Sequence, residues 1–191
     1  MIIKKRKFIV ILVLIALTIC AIFVHSALSP EVSEKESEAV SGIVDQVLEV
    51  VVPNNQSLRD FVSKNIRKIA HFVEFGALGL EACIFFLLCY IEKIKAPVEL
   101  ENDESFVKNI NYVDALKYVS YFITFGILVA FLDESFQILS KRGPSVLDMW
   151  IDILGYMTFA FTFLMVIFVI KLIRIAVRQS NIDTKEKNND I

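Results

Sequence analysis

The chain has 191 residues, 55% hydrophobic and 22% charged, with a net charge of −2 at pH 7. Soluble domains of this size are nearer 45–50% apolar and disordered chains carry few apolar residues, so the composition excludes both. The near-neutral balance, with a pI of about 5.8, lacks the electrostatic footprint of a nucleic-acid-binding protein.

The apolar residues come in blocks. No Asp, Glu, Lys or Arg lies between Lys7 and Glu31, between Glu81 and Glu92, between Lys117 and Asp133, or between Asp152 and Lys171. About 20 mostly apolar residues cross the hydrocarbon core as a helix. The expected fold is therefore all-α: a multi-pass transmembrane bundle in the lipid bilayer, with spans near residues 8–28, 69–91, 115–139 and 147–170. The blocks are continuous rather than alternating, which argues against a membrane β-barrel. The first block also has features of a signal peptide: Lys4 to Lys7, an apolar stretch, then Ser26-Ala27. Its length exceeds a signal core of about 7–15 residues, and His25 fits poorly beside a cleavage site, which favours a retained helix.

Basic residues set the orientation. Thirteen of the 20 Lys and Arg fall in the N-terminus, the 92–114 segment and the C-terminal region, or at the helix ends beside them. That side is expected to be cytoplasmic, with both termini on it, in the cytoplasmic membrane of the cell envelope. Residues 1–177 are expected to form one transmembrane domain and residues 178–191 a polar cytoplasmic tail. Cys20, Cys83 and Cys89 all lie inside spans and read as small apolar packing residues. No disulfide, metal or cofactor motif is present.

Between the first two spans, Val40, Ile43, Val44, Val47, Leu48 and Val51 recur at helical spacing. They predict an amphipathic extracytoplasmic helix, opened by a Ser33-x-x-Glu36 capping box and closed by Pro53-Asn54-Asn55. Its acidic polar face suits packing over the bundle better than lying on anionic lipid. Ser57-x-x-Asp60 predicts the start of a further helix leading into the second span.

Charged groups in a membrane are costly and mark function or structural pairing. Three clusters stand out. Arg67, Lys68, His71 and Glu74 share a helical face, with Glu81 on that face roughly 10 Å deeper. Asp133 and Gln137 share another, while Glu134 is turned about 100° away. Lys141, Arg142, Gly143 and Pro144 form a turn, Ser145 is a plausible N-cap, and Asp148 and Asp152 follow at i, i+4 spacing. In the four-span arrangement all three clusters meet at the outer ends of helices. The candidate polar site is thus Arg67, Lys68, His71, Glu74, Asp133, Glu134, Gln137, Arg142, Ser145, Asp148 and Asp152. Cross-helix hydrogen bonds that only fix packing are the plainer reading of such groups, and Glu81 in particular suits it. Trp150 suits an interfacial anchor.

The segments RKIAHFVEFGALG at 67–79, DESFQ at 133–137 and RGPSVLDMWIDILG at 142–155 resemble the VanZ-like membrane protein family. Phe23-Val-His-Ser26, with Ser37 and Ser41, is similar to that family's first outer segment. The likeness covers about residues 20–157. It departs from the family at Phe75, where a Tyr is common, and at Ser140-Lys141, where a Pro-Gly is common. The resemblance implies a bacterial multi-pass helical membrane protein and an association with low-level resistance to teicoplanin-type glycopeptides. It implies no reaction.

Three functional classes follow from the residues. The first is a protein that binds or modulates a lipid headgroup, cell-wall precursor or lipoglycopeptide at the outer face, with Arg67, Lys68 and Arg142 meeting its anionic groups. The second is a membrane-embedded enzyme using His71, Glu74, Asp133 and Glu134 as acid and base. It lacks a recognisable nucleophile or metal motif, and Glu74, Asp133 and Asp148 offer a divalent ion only oxygen ligands. The third is a small transporter subunit with Glu81 and Glu74 along an ion path.

Overall fold

The computed structural model describes residues 2–28, 30–98, 112–139 and 143–189. The described residues form five helices: α1 (Ile2–Ala27), α2 (Pro30–Val51), α3 (Gln56–Val98), α4 (Tyr112–Leu139) and α5 (Val146–Asn189). Four of them, α1, α3, α4 and α5, are long and apolar enough to cross a membrane.

Several helix limits differ from the sequence-based expectation, each for a local reason. α2 starts at Pro30, three residues before the expected capping box; proline suits the first helical position because its missing N–H has no intrahelical partner there. Ser33 is consequently inside the helix, buried, and not a cap. α3 starts at Gln56 under a cap from Asn55, whose Oδ1 accepts the Leu58 N–H at 3.1 Å, rather than at Ser57. From there it runs unbroken to Val98, so the helix expected before the second span and the span itself are one element. α5 likewise continues into the polar tail, to Asn189. α3 ends one residue after Pro97, whose ring and missing N–H oppose further helix, whereas α5 has no proline and no glycine after Gly155 to stop it.

α3 touches every other helix, and its most extensive packing is with α5. Contacts of α1 with α3 and α4, and of α5 with α3 and α4, close a bundle in the cyclic order α1, α3, α5, α4. Ile22, Phe75, Leu78, Ala82, Val129, Ala130 and Tyr156 fill its centre. Outward faces remain apolar, with Leu17, Phe131 and Phe168 each more than half exposed. Helices apolar on all sides belong in hydrocarbon.

Small residues bring α3 and α5 together, the usual device where lipid supplies no hydrophobic drive between helices. A Cβ on Gly79 would sit 2.0 Å from the Tyr156 carbonyl oxygen, and one on Gly155 would sit 2.2 Å from that of Phe72. The two backbones therefore nearly touch. Tyr156 fills the space toward α4, where its ring stacks on Phe122 at 4.6 Å and its hydroxyl donates to the Phe122 carbonyl at 2.9 Å. Because Phe72 and Gly155 are in contact, His71 and Asp152, their neighbours in sequence, are drawn to one level.

Candidate functional site

The polar site lies where α1 and α4 end and α5 begins. α3 passes this level at residues 67–74, about three turns after its start. Its first turns thus project beyond the other spans, and α2 packs on them.

At the centre stands Asp133 of α4, fully buried. Ser26 of α1 donates its hydroxyl to Asp133 Oδ1 at 2.5 Å. Gln137, one turn later, donates Nε2 to Asp133 Oδ2 at 3.1 Å and to Glu134 Oε1 at 3.1 Å. Glu134 was expected to point away from this pair. It does diverge around α4, but toward the start of α5, where its Oε2 accepts the Ser145 N–H at 2.7 Å. A carboxylate at a helix N-terminus is well placed against the helix dipole. Ser145 is the N-cap, with its Oγ accepting the Asp148 N–H at 3.3 Å.

From α3, His71 enters with a side chain 13% exposed. Its Nδ1 is 3.9 Å from Asp133 Oδ2 and 3.7 Å from Asp152 Oδ1. Asp152 of α5 is 1% exposed. Among the described residues neither of its carboxylate oxygens has a hydrogen-bond partner, and nor does His71 Nδ1. His71, Asp133 and Asp152 each present one donor atom within 4.8 Å of the others. This three-helix set has no sequence spacing by which a metal motif would be recognised.

The remaining α3 residues divide between two sides. Glu74 turns to α1 and meets His25 Nδ1 at 2.6 Å. Deeper on the same side, Thr18 donates to Glu81 Oε1 at 3.1 Å, so Glu81 links α1 to α3. Lys68 turns to α5 and lies 3.8 Å from Asp148. Arg67 makes no hydrogen bond or ion pair among the described residues and lines two cavities. One, of about 400 Å³, is bounded by α1, α2 and α3, including His25, Ser33, Ser37, Val40, His71 and Glu74. The other, of about 230 Å³, opens between α3 and α5 beside Lys64, Lys68, Gln137, Asp148 and Asp152. Arg67 and His71 border both.

The structure thus gathers Arg67, Lys68, His71, Glu74, Asp133, Glu134, Gln137, Ser145, Asp148 and Asp152 at one end of the bundle. Arg142 and its neighbour Lys141 lie outside the described residues. His25, Ser26, Ser33 and Ser37 join the site without having been selected from the residue pattern. The signal for His25, Ser26 and Ser37 was the family-like outer segment, while Ser33 stood out only as the start of a capping box.

A model of the VanZ/LLP1 family matches residues 8–172, which takes in α3 and α4 whole, α1 from Phe8, α5 as far as Leu172, and every site residue named above. The chain belongs to the VanZ/LLP1 family. As a VanZ-like chain it is a membrane protein, and its four apolar helices fit a multi-pass one. No curated protein and no solved structure matches it.

Proposed function

We propose that this VanZ-like protein sits in the bacterial cytoplasmic membrane with both termini inside, and that its polar end binds the anionic headgroup of an envelope lipid or lipid-linked cell-wall precursor at the outer face. By holding or masking that group it contributes to resistance against teicoplanin-type glycopeptides. The carrying observation is Arg67: a guanidinium without a described ion-pair partner that borders two cavities. Arg binds phosphate and carboxylate through paired N–H donors, and Lys68 beside it is half exposed. Pocket walls are mixed: His25, Ser33 and Ser37 offer hydrogen bonds, while Val40, Ile66 and Ala70 suit the start of an acyl chain.

The orientation is supported by the bundle's other end. Lys93, Lys171, Arg174 and Arg178 lie there, as positive-inside asymmetry requires of a cytoplasmic side. α2 is then an extracytoplasmic amphipathic helix. It gives Ser33, Ser37 and Val40 to the larger cavity, while Ile43, Val47 and Val50 remain exposed. That exposed row suits the lipid interface, so α2 roofs the cavity with one edge and meets lipid with another.

The test uses the full chain in nanodiscs and in cells. Native mass spectrometry should show phosphatidylglycerol retained over phosphatidylcholine, and Arg67→Ala should abolish the preference. In a teicoplanin-sensitive host, expression should raise the inhibitory concentration, and Arg67→Ala should remove the rise at equal membrane abundance. An Arg67→Ala protein with undiminished lipid preference and undiminished protection would sink the reading.

A further inference from the structure

His71, Asp133 and Asp152 come from three different helices, yet their donor atoms meet within 4.8 Å in a nearly closed space. A proton alone does not explain the geometry. His71 Nδ1 is 3.7 Å from one carboxylate and 3.9 Å from the other, beyond hydrogen-bond length to either. Burying a carboxylate unpaired is costly, and Asp152 is 1% exposed with both oxygens unpartnered among the described residues. Two acids and an imidazole have been brought together at a distance that direct contact does not satisfy.

We propose that these three residues bind one divalent metal ion, of the zinc or manganese kind. Zinc bonds of about 2.1 Å at tetrahedral angles place donors about 3.4 Å apart, so the His71 distances of 3.7 and 3.9 Å need to close by a few tenths of an ångström, and the two carboxylates, whose oxygens lie within 4.8 Å of each other, by up to about 1.4 Å, which side-chain rotation supplies. One imidazole nitrogen with two carboxylate oxygens is a donor set between the soft and hard extremes. It suits zinc or manganese better than calcium, which takes six to eight oxygens. Two negative charges against a divalent ion also remove the cost of burying the acids.

The surroundings are those of a ligand shell. Metal-binding carboxylates are typically held by further hydrogen bonds that fix their orientation. Asp133 is so held on both oxygens, by Ser26 at 2.5 Å and Gln137 at 3.1 Å. The Gly155–Phe72 backbone contact fixes the α3–α5 separation directly beside His71 and Asp152. Access runs through the smaller cavity, which both residues line. A three-ligand site open on one side is the pattern in which the remaining position is left for water or a ligand oxygen.

The test reads the metal itself. The purified full-length protein is stripped with EDTA, equilibrated with ZnCl₂ or MnCl₂, desalted and measured by inductively coupled plasma mass spectrometry, with thermal unfolding in parallel. The wild type should retain about one equivalent per chain and unfold at a higher temperature with the ion than with EDTA. Asp152→Asn and His71→Ala should each weaken retention by more than about tenfold and lose the metal-dependent rise. Glu81→Gln, which alters an acid deeper in the bundle and outside the polar site, should keep both. In EDTA, Asp152→Asn should unfold no lower than the wild type, since it puts a neutral amide of the same size in place of a buried carboxyl that has no hydrogen bond among the described residues. The proposal is overturned if the wild type retains neither ion and gains no stability from either, or if Asp152→Asn and His71→Ala retain as much metal as the wild type.

Discussion

Replacing Gly155 by alanine probes the contact that positions the site. The added Cβ would meet the Phe72 carbonyl oxygen at 2.2 Å, where an unstrained C···O approach is about 3.3 Å. The obstruction is backbone, so no side-chain rotation relieves it, and α3 and α5 must separate locally by about 1 Å. Overpacking of this kind costs about 1–3 kcal/mol. For a chain of this size each kcal/mol moves the unfolding midpoint by about 2–4 °C, so a fall of roughly 2–12 °C is expected. Phe72 adjoins His71 and Gly155 lies three residues beyond Asp152, so the same movement widens the 3.7 Å approach between those two side chains. Circular dichroism melts of the detergent-solubilised protein check the first effect. Gly42→Ala is the control: a Cβ there meets nothing within 4 Å, and exchanging a mid-helix glycine should raise stability by about 0.5–1 kcal/mol. A Gly155→Ala protein as stable as the wild type would refute the claim that backbone contact sets the α3–α5 spacing.

Ser26→Ala should destabilise by about 1.5–3 kcal/mol in the same melts, because it strips a hydrogen bond from a fully buried carboxylate. Lys68→Ala should change stability by less than about 1 kcal/mol, since its ion pair with Asp148 is solvent-screened on both sides; a larger loss would show the pair to be structural. Arg142→Ala should lose teicoplanin protection in cells while immunoblots show unchanged accumulation in the membrane.

The four long apolar helices were legible because charge-free runs of about 20 residues are long enough to cross a bilayer as helix. Helix ends were less so. The Ser33-x-x-Glu36 pattern is a capping signal, but Pro30 begins the helix earlier and the serine is used against the cavity instead. Periodicity put His71 and Glu74 on one face of their helix. It could not show that they diverge, one toward Asp133 and Asp152 and the other toward His25, because partners on other helices decide that. Glu134 is the sharper case. A direction measured around its own helix turned it away from Asp133, yet α5 begins where it points and Ser145 supplies its partner. His25 escaped the residue pattern because it ends an apolar run and pairs with a residue 49 positions later.

The account rests on the polar end of the bundle facing out of the cell. Single cysteines at Asn55, beside the start of α3, and at Asp103, in the segment between α3 and α4, test this directly once Cys20, Cys83 and Cys89 are exchanged for alanine. In intact cells a membrane-impermeant maleimide should label Asn55→Cys, and should label Asp103→Cys only after permeabilisation. Labelling of Asp103→Cys in intact cells with Asn55→Cys protected would place the site on the cytoplasmic face and contradict the account.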